Sequence, residues 1–200
     1  MHRIATTIVV LLLLTLCAHG QRFSAGPCLG LAASQVDGDS YAGYHKAGPI
    51  AGIWVQLNTS IDWSAMVKLR YIQKGCRARG ETPGTTRFAL RLNYLELPLM
   101  ALYRINPRMS LCAGLSGGYL ASLREFNLGG EVPQEHTIVL RRYELAAMGG
   151  ISLDLLPRLR AGAIFSYSAL PLRPTARIIE HWRSRGGHNN VLEISLLYEL

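Results

Sequence analysis

An all-β fold, eight antiparallel strands closed into a transmembrane barrel, is what the sequence predicts, and three observations carry it. The chain of 200 residues is 49% hydrophobic, yet only 17% of it is Asp, Glu, Lys or Arg, against about 25% in ordinary soluble domains. Its regular segments alternate with a period of two, the signature of strands with unlike faces. Short and long connections take turns along the chain, which gathers the long ones at one end of an antiparallel array, the pattern of outer-membrane barrels. The length fits one domain, and 20 glycines agree with β-structure.

The elements can be justified in chain order. Residues 1–20 read as an export signal: Arg3 supplies the charge, Ile8–Ala18 the apolar core, and Ala18-His19-Gly20 a small-x-small cleavage site before Gln21. A lipoprotein reading would lipidate Cys17, but Leu16 is bulkier than such sites accept. Residues 21–200 then form the barrel domain, and no later segment is apolar for the roughly 20 residues a spanning helix needs.

The first strand, Phe23–Gln35, sets Ser24, Gly26, Cys28, Gly30, Ala32 and Ser34 on one face. Ile50–Leu57 follows, then the short link Asn58–Asp62. Trp63–Lys74 alternates Trp63, Ala65, Val67, Leu69 and Tyr71 with Ser64, Met66, Lys68, Arg70 and Lys74. Leu92–Tyr103 carries an apolar row from Leu95 to Ala101 and ends at the short turn Arg104–Arg108. Met109–Ala121 has Ser110, Cys112, Gly114, Ser116 and Gly118 in one row. Arg142–Leu155, a turn at Leu156-Pro157-Arg158, Leu159–Leu170 and Asn190–Leu200 complete the set. The long links are Val36–Pro49, Gly75–Arg91, Ser122–Arg141 and Pro171–Asn189, and they hold most of the Gly, Pro and charge.

Alternation alone would suit a soluble lipocalin-like barrel with apolar residues inside. The less apolar rows decide otherwise, because small neutral residues cover a water-facing surface badly but suit the crowded inside of a narrow barrel. Aromatic residues near the ends of the apolar rows (Trp63, Tyr71, Tyr103, Tyr119, Tyr143, Tyr167 and Tyr198) read as interfacial girdles, although tyrosine is also common in any strand. On this reading the Trp63–Tyr71 face meets lipid, and Lys68 and Arg70 point into the lumen. Closure follows, since an open edge would leave unpaired N–H and C=O groups in hydrocarbon.

Five blocks also carry a family likeness: Ser34–Val55 "SQVDGDSYAGYHKAGPIAGIWV", Tyr71–Gly75 "YIQKG", Tyr94–Tyr103 "YLELPLMALY", Gly114–Ser122 "GLSGGYLAS" and Asn189–Leu200 "NNVLEISLLYEL". In this order, across the whole chain after the signal, they resemble the PorT-like outer-membrane β-barrel family. The resemblance implies an eight-stranded barrel in the outer membrane of a Gram-negative bacterium. The family's founding member is tied to a protein-secretion and gliding apparatus, which makes an envelope or secretion protein an implied partner.

Candidate chemistry is sparse. Lys68, Arg70, Glu96, Glu144, Asp154, Arg160 and Glu193 fall on lumen rows, and opposite charges away from water should pair. Arg70–Glu96 and Asp154–Arg160 are the expected structural pairs; a proton or ion path is the competing reading. Eight strands leave an interior just filled by side chains, which disfavours a solute channel.

The long links are basic, with Arg77, Arg79, Arg87 and Arg91 against Glu81, and Arg173, Arg177, Arg183 and Arg185 against Glu180. Arginine clusters favour phosphate and carboxylate. Outer-membrane lipid, and specifically lipopolysaccharide phosphate, is therefore one expected contact; a solvated loop without a particular partner is the other reading. A sequence pI near 9.6 would also suit nucleic acid, which the export signal argues against.

His45, His136, His181 and His188 lie in the links near Asp37, Asp39 and Glu180, but no HExxH or GxSxG pattern accompanies them. Asp37 and Asp39 fall short of a calcium loop and read as turn formers. No enzyme is expected, an outer-membrane lipid-modifying enzyme being the remaining alternative, and no cofactor or metal. Cys28 and Cys112 read as packing residues and Cys76 as a loop thiol; three cysteines match no zinc or CxxC spacing.

Overall fold

The computed structural model describes residues 23–37, 43–79, 86–128, 130–133, 139–173 and 187–200. The strands are β1 (Phe23–Asp37), β2 (Lys46–Asn58), β3 (Trp63–Arg79), β4 (Thr86–Asn106), β5 (Met109–Asn127), β6 (Gly130–Glu131), β7 (Tyr143–Leu156), β8 (Leu159–Ser168) and β9 (His188–Tyr198). Each barrel strand pairs antiparallel with the next in sequence, β5 pairing with β7, and β9 returns to β1. The result is a closed eight-stranded barrel, with β6 a two-residue extension beside the end of β5. Closure leaves no barrel edge to be satisfied in lipid.

The alternating sequence becomes two surfaces. Leu29, Leu31, Ile53, Leu69, Leu97, Leu99, Leu115 and Ile194 are exposed outside, while Cys28, Trp54, Met66, Lys68, Arg70, Glu96 and Glu193 are buried inside. Cross-strand register sets two aromatic levels. Trp63 faces Tyr103, with ring centroids 5.0 Å apart. At the other level Tyr71, Leu95, Tyr119 and Tyr143 lie in register across β3, β4, β5 and β7. From Trp63 to Tyr71 the chain advances ~27 Å at about 3.4 Å per residue. Tilted by about 40°, that is a height of ~20 Å, close to the apolar band of an outer-membrane barrel.

The strands around the third hairpin outrun the sequence expectation. β3, β4 and β5 are 17, 21 and 19 residues long, against 10 to 15 for the other barrel strands. Much of the segment 75–91, expected as a loop, is a continued β3–β4 ladder: Gly75 pairs with Arg91 and Arg77 with Ala89. β2 likewise begins at Lys46 rather than Ile50. Alternation registers contrast between lipid and lumen. Above the membrane the outer row turns polar, with Arg77 and Arg91, while the buried row of Cys76, Ala78, Leu90 and Leu92 is apolar, so the contrast inverts while the backbone ladder persists. Gly75 permits the continuation, with φ +130° and an added Cβ only 1.9 Å from the Leu90 carbonyl oxygen; no other residue adopts that conformation at little cost.

Inside, two apolar clusters fill the barrel. One, between the aromatic levels, joins Trp54, Met66, Met100, Leu102, Met148 and Leu197. The other, at the end of the long connections, joins Val36, Ile50, Ile72, Leu90, Leu92, Tyr94, Leu120 and Val191. Cys28 and Cys112 belong to the first cluster. Cys76 is buried in the second, on β3 rather than in a loop.

Candidate functional site

Between the apolar clusters runs a belt of buried charge. Arg70 on β3 faces Glu96 on β4 in register, and its Nε and Nη2 donate to one carboxylate oxygen at 3.1 and 2.8 Å. Its Nη1 donates to Glu193 on β9 at 2.9 Å. Lys74 lies 5.2 Å from the centre of the Tyr94 ring. It pairs with Glu96 at 2.5 Å and Glu144 on β7 at 3.0 Å. Asn189 on β9 donates to the remaining Glu144 oxygen at 3.3 Å. The ionic chain Glu193–Arg70–Glu96–Lys74–Glu144 thus crosses the lumen, with every one of these side chains at most 3% exposed.

The belt obeys a charge rule. Lys68, Arg70 and Lys74 stand against Glu96, Glu144 and Glu193, three cations and three anions. A mismatch would leave a bare charge in low dielectric at several kcal/mol. Lys68, also buried, lines a lumen cavity of about 10 Å³ shared with Met100, Cys112 and Ser152, room for a single water.

The sequence located some of this. Arg70–Glu96 is in contact, and Asp154–Arg160 closes at 2.7 Å beside the third short turn. Arg160 also donates to Gln56 and lies 5.8 Å from the Trp54 ring centre. The sequence puts Lys74 on the lumen row without marking it as a bridge, and it gives Glu144 and Glu193 as lumen candidates without partners. The contacts of Glu144 with Lys74 and of Glu193 with Arg70 cross the barrel rather than a hairpin, so neither spacing nor register within one strand pair supplies them.

At the end of the short turns, Trp54, Arg108, Asp154, Arg158, Arg160 and Glu199 contribute to a basin of about 450 Å³.

The external arginines separate. Arg77 is exposed on β3 rather than in a loop. Arg173 is only 7% exposed; burial pushes its guanidinium below the usual value, partly offset by Glu125. That corrects the expectation of a lipid-facing side chain there. Arg79 and Arg87 lie on β3 and β4 with side chains outside the described residues, as are Arg177, Arg183 and Arg185. The signal segment, Asp39, Glu180, His136 and His181 are outside them too.

His45, Lys46, Gln73, Arg77, Arg91 and Phe126 line an external groove of about 590 Å³, which β2, β3, β4 and β5 build together and no single segment of sequence displays. Arg91 lies 4.6 Å from the Phe126 ring centre. Lys46 donates to Gln73. Burial, then the positive charges of Arg91 and Arg77, push Lys46 down to about 8.

His188 sits opposite Asp37 in register, but its Nδ1 is 2.8 Å from the Ser168 carbonyl and its ring stacks on Tyr167. Asp37 instead accepts from Gln35 and Asn190. Among the described residues no group of three His, Cys, Asp or Glu side chains is placed to hold a metal ion.

A closed barrel with greasy walls, two aromatic levels and a charged, filled lumen defines an integral β-barrel protein of the outer membrane. The chain belongs to the family described as the outer membrane protein beta-barrel domain, whose model matches residues 18–170. Among solved structures it is similar to Ail, the attachment invasion locus protein of Yersinia pestis, at 16% identity and TM-score 0.52, over 90% of this chain and 99% of that one. Ail has also been solved in complex with the heparin analogue sucrose octasulfate, again at 16% identity and TM-score 0.52 over the same shares of the two chains. Neisserial surface protein A is similar at 10% identity and TM-score 0.48, over 89% of this chain and 97% of that one. At such identities the likeness is one of fold. No curated protein sequence matches the chain.

Proposed function

We propose that this barrel is a non-enzymatic structural or recognition component of the outer membrane, its lumen held shut by the ionic belt and its external basic surface turned to lipopolysaccharide. The observation that supports this best is the filled interior. Five charged side chains bridge the lumen between two apolar clusters, and the cavity at Lys68 is the size of one water. A path for hydrated solutes would need a continuous polar lining, and a side-chain-filled eight-stranded barrel offers none.

The experiment is conductance across a planar bilayer holding the folded, purified chain. The baseline should match lipid alone, and reproducible open-channel steps would overturn the reading.

A secretion-accessory role is the second reading, favoured by the PorT-like sequence blocks. The basin with Arg108, Arg158 and Arg160 offers an envelope protein with acidic groups a place to dock. Crosslinking from Arg158→Cys in intact cells should then yield one defined adduct; a smear of unrelated proteins would remove this reading.

A further inference from the structure

One stripe of the outer wall passes through three zones along β3, β4 and β5. Farthest from the membrane is the basic groove of Arg77 and Arg91, to whose lining Lys46, only 6% exposed, also contributes, with Arg124 of β5 in register with Arg91. Glu131 is the carboxylate nearby, 3.8 Å from Arg124 and about half exposed. Next comes a polar ladder at the aromatic level: the Tyr71 hydroxyl and Gln73 amide both donate to Asn93, which donates to Ser122 at 2.7 Å. Below it, within the lipid-facing band, is an apolar notch of about 370 Å³ walled by Leu69, Leu95, Leu97 and Tyr119.

The floor of the notch is Gly117, paired with Leu97 on one side and Leu145 on the other. A Cβ built there would meet nothing within 4 Å, so the glycine leaves a real indentation in an otherwise leucine-covered surface. Glu96 and Glu144 contribute to the lining, but their side chains are 1% and 3% exposed, and the wall presented to lipid is apolar. From Arg91 to Leu97 the strand advances six residues, ~20 Å at about 3.3 Å per residue.

We infer that this stripe binds one phosphorylated, multi-acyl glycolipid of the outer leaflet, a lipid A molecule, with phosphate on the exposed Arg77 and Arg91 of the groove, sugar along the Asn93–Ser122 ladder and an acyl chain over Gly117. It rests on the reading that the external surface meets lipopolysaccharide and assigns that contact a place. Charge selects the occupant: a second copy of this chain would bring the same cations against the groove, and the long connections place it on the outer leaflet side. Arginine forks suit phosphate oxygens, and the Lys46 ammonium adds to the positive charge of the groove. The exposed amides and hydroxyls suit sugar hydroxyls, and the notch removes acyl methylenes from competition with smooth leucine wall.

The test uses the folded chain in detergent with purified diphosphoryl lipid A, binding being read by native mass spectrometry. Three variants are compared: Gly117→Leu, whose added Cβ meets nothing within 4 Å, the double variant Arg77→Gln/Arg91→Gln, and Arg104→Gln at the short-turn end as a remote control. Gel mobility before and after boiling verifies that each is folded. One lipid A per barrel should survive, with affinity down about tenfold or more in the double variant and on dephosphorylating the lipid. Gly117→Leu should weaken lipid A by about fivefold or more but leave a soluble phosphorylated glucosamine disaccharide unaffected. Wild-type affinity in all three variants overturns the site while leaving lipopolysaccharide recognition elsewhere intact. No lipid A on the wild type overturns both that recognition and the site. A disaccharide that binds as tightly as lipid A overturns the acyl-chain role, and a dimer that shields Gly117 overturns the lipid assignment.

Discussion

Replacing Glu96 with alanine removes the one carboxylate that Arg70 and Lys74 share, and the structure sets the size of the effect. Both cations keep a second partner, Glu193 at 2.8 Å and Glu144 at 3.0 Å, so neither is stranded outright. The belt nevertheless goes from three cations against three anions to three against two, with the missing group 1% exposed. Breaking a buried pair from one side costs about 3–5 kcal/mol, and the surviving partners place Glu96→Ala near the low end, about 3 kcal/mol, or roughly a hundredfold in the folded-to-unfolded ratio. Glu96→Gln restores shape and some hydrogen bonding but not charge, and should recover less than half of the loss. The assay is guanidinium unfolding of the barrel in micelles, followed by the mobility difference between unheated and boiled samples. A Glu96→Ala barrel within about 0.5 kcal/mol of wild type, the range of an ordinary surface substitution, would refute the belt as a stabilising element.

Asp154→Ala gives the contrast: its side chain is 40% exposed and Arg160 retains Gln56, so the same assay should register less than about 1 kcal/mol. Lys46 predicts a pH response. It is held at about 8 against an ordinary 10.5, first by burial and then by Arg91 and Arg77, and it also bonds Gln73 beside His45. Because its folded value lies below the unfolded one, the cost of burying the ammonium is present in full below about pH 8 and relieved as pH rises toward 10.5. Hydrogen exchange at Gly48 and Ile50 should therefore slow, relative to its intrinsic rate, through that window. Lipid A affinity, which gains from the ammonium, should fall across the same range in wild type and stay flat in Lys46→Arg; a flat wild-type profile removes Lys46 from the site.

The legible and illegible parts of the site divide along a physical line. Arg70–Glu96 and Asp154–Arg160 can be paired from the sequence because each joins neighbouring strands, and counting from the short-turn ends, near Trp63 and Tyr103 for the first and at Leu156-Pro157-Arg158 for the second, sets both partners at one height. Glu193 and Arg70 are 123 residues apart and meet only because the sheet closes and its lumen is narrow. The basic groove was hidden for another reason. Arg77 and Arg91 face outward beside a buried row of Cys76, Ala78, Leu90 and Leu92, the reverse of the contrast in the lipid-facing band, and Gly75 with its positive φ carries the ladder through this stretch.

By itself the sequence determined which rows of side chains face lipid and which face inward, because a period of two leaves only two assignments and small residues with isolated charges fit only the crowded side. It also settled that the chain closes, since an edge in hydrocarbon has no partner. Only the tertiary structure decided which charges neutralise one another across the lumen, how far β3, β4 and β5 rise beyond the membrane, and that Gly117 lies beneath a cationic groove. Those are distances between strands remote in sequence, and they are set by closure and coiling of the sheet rather than by any local pattern of residues.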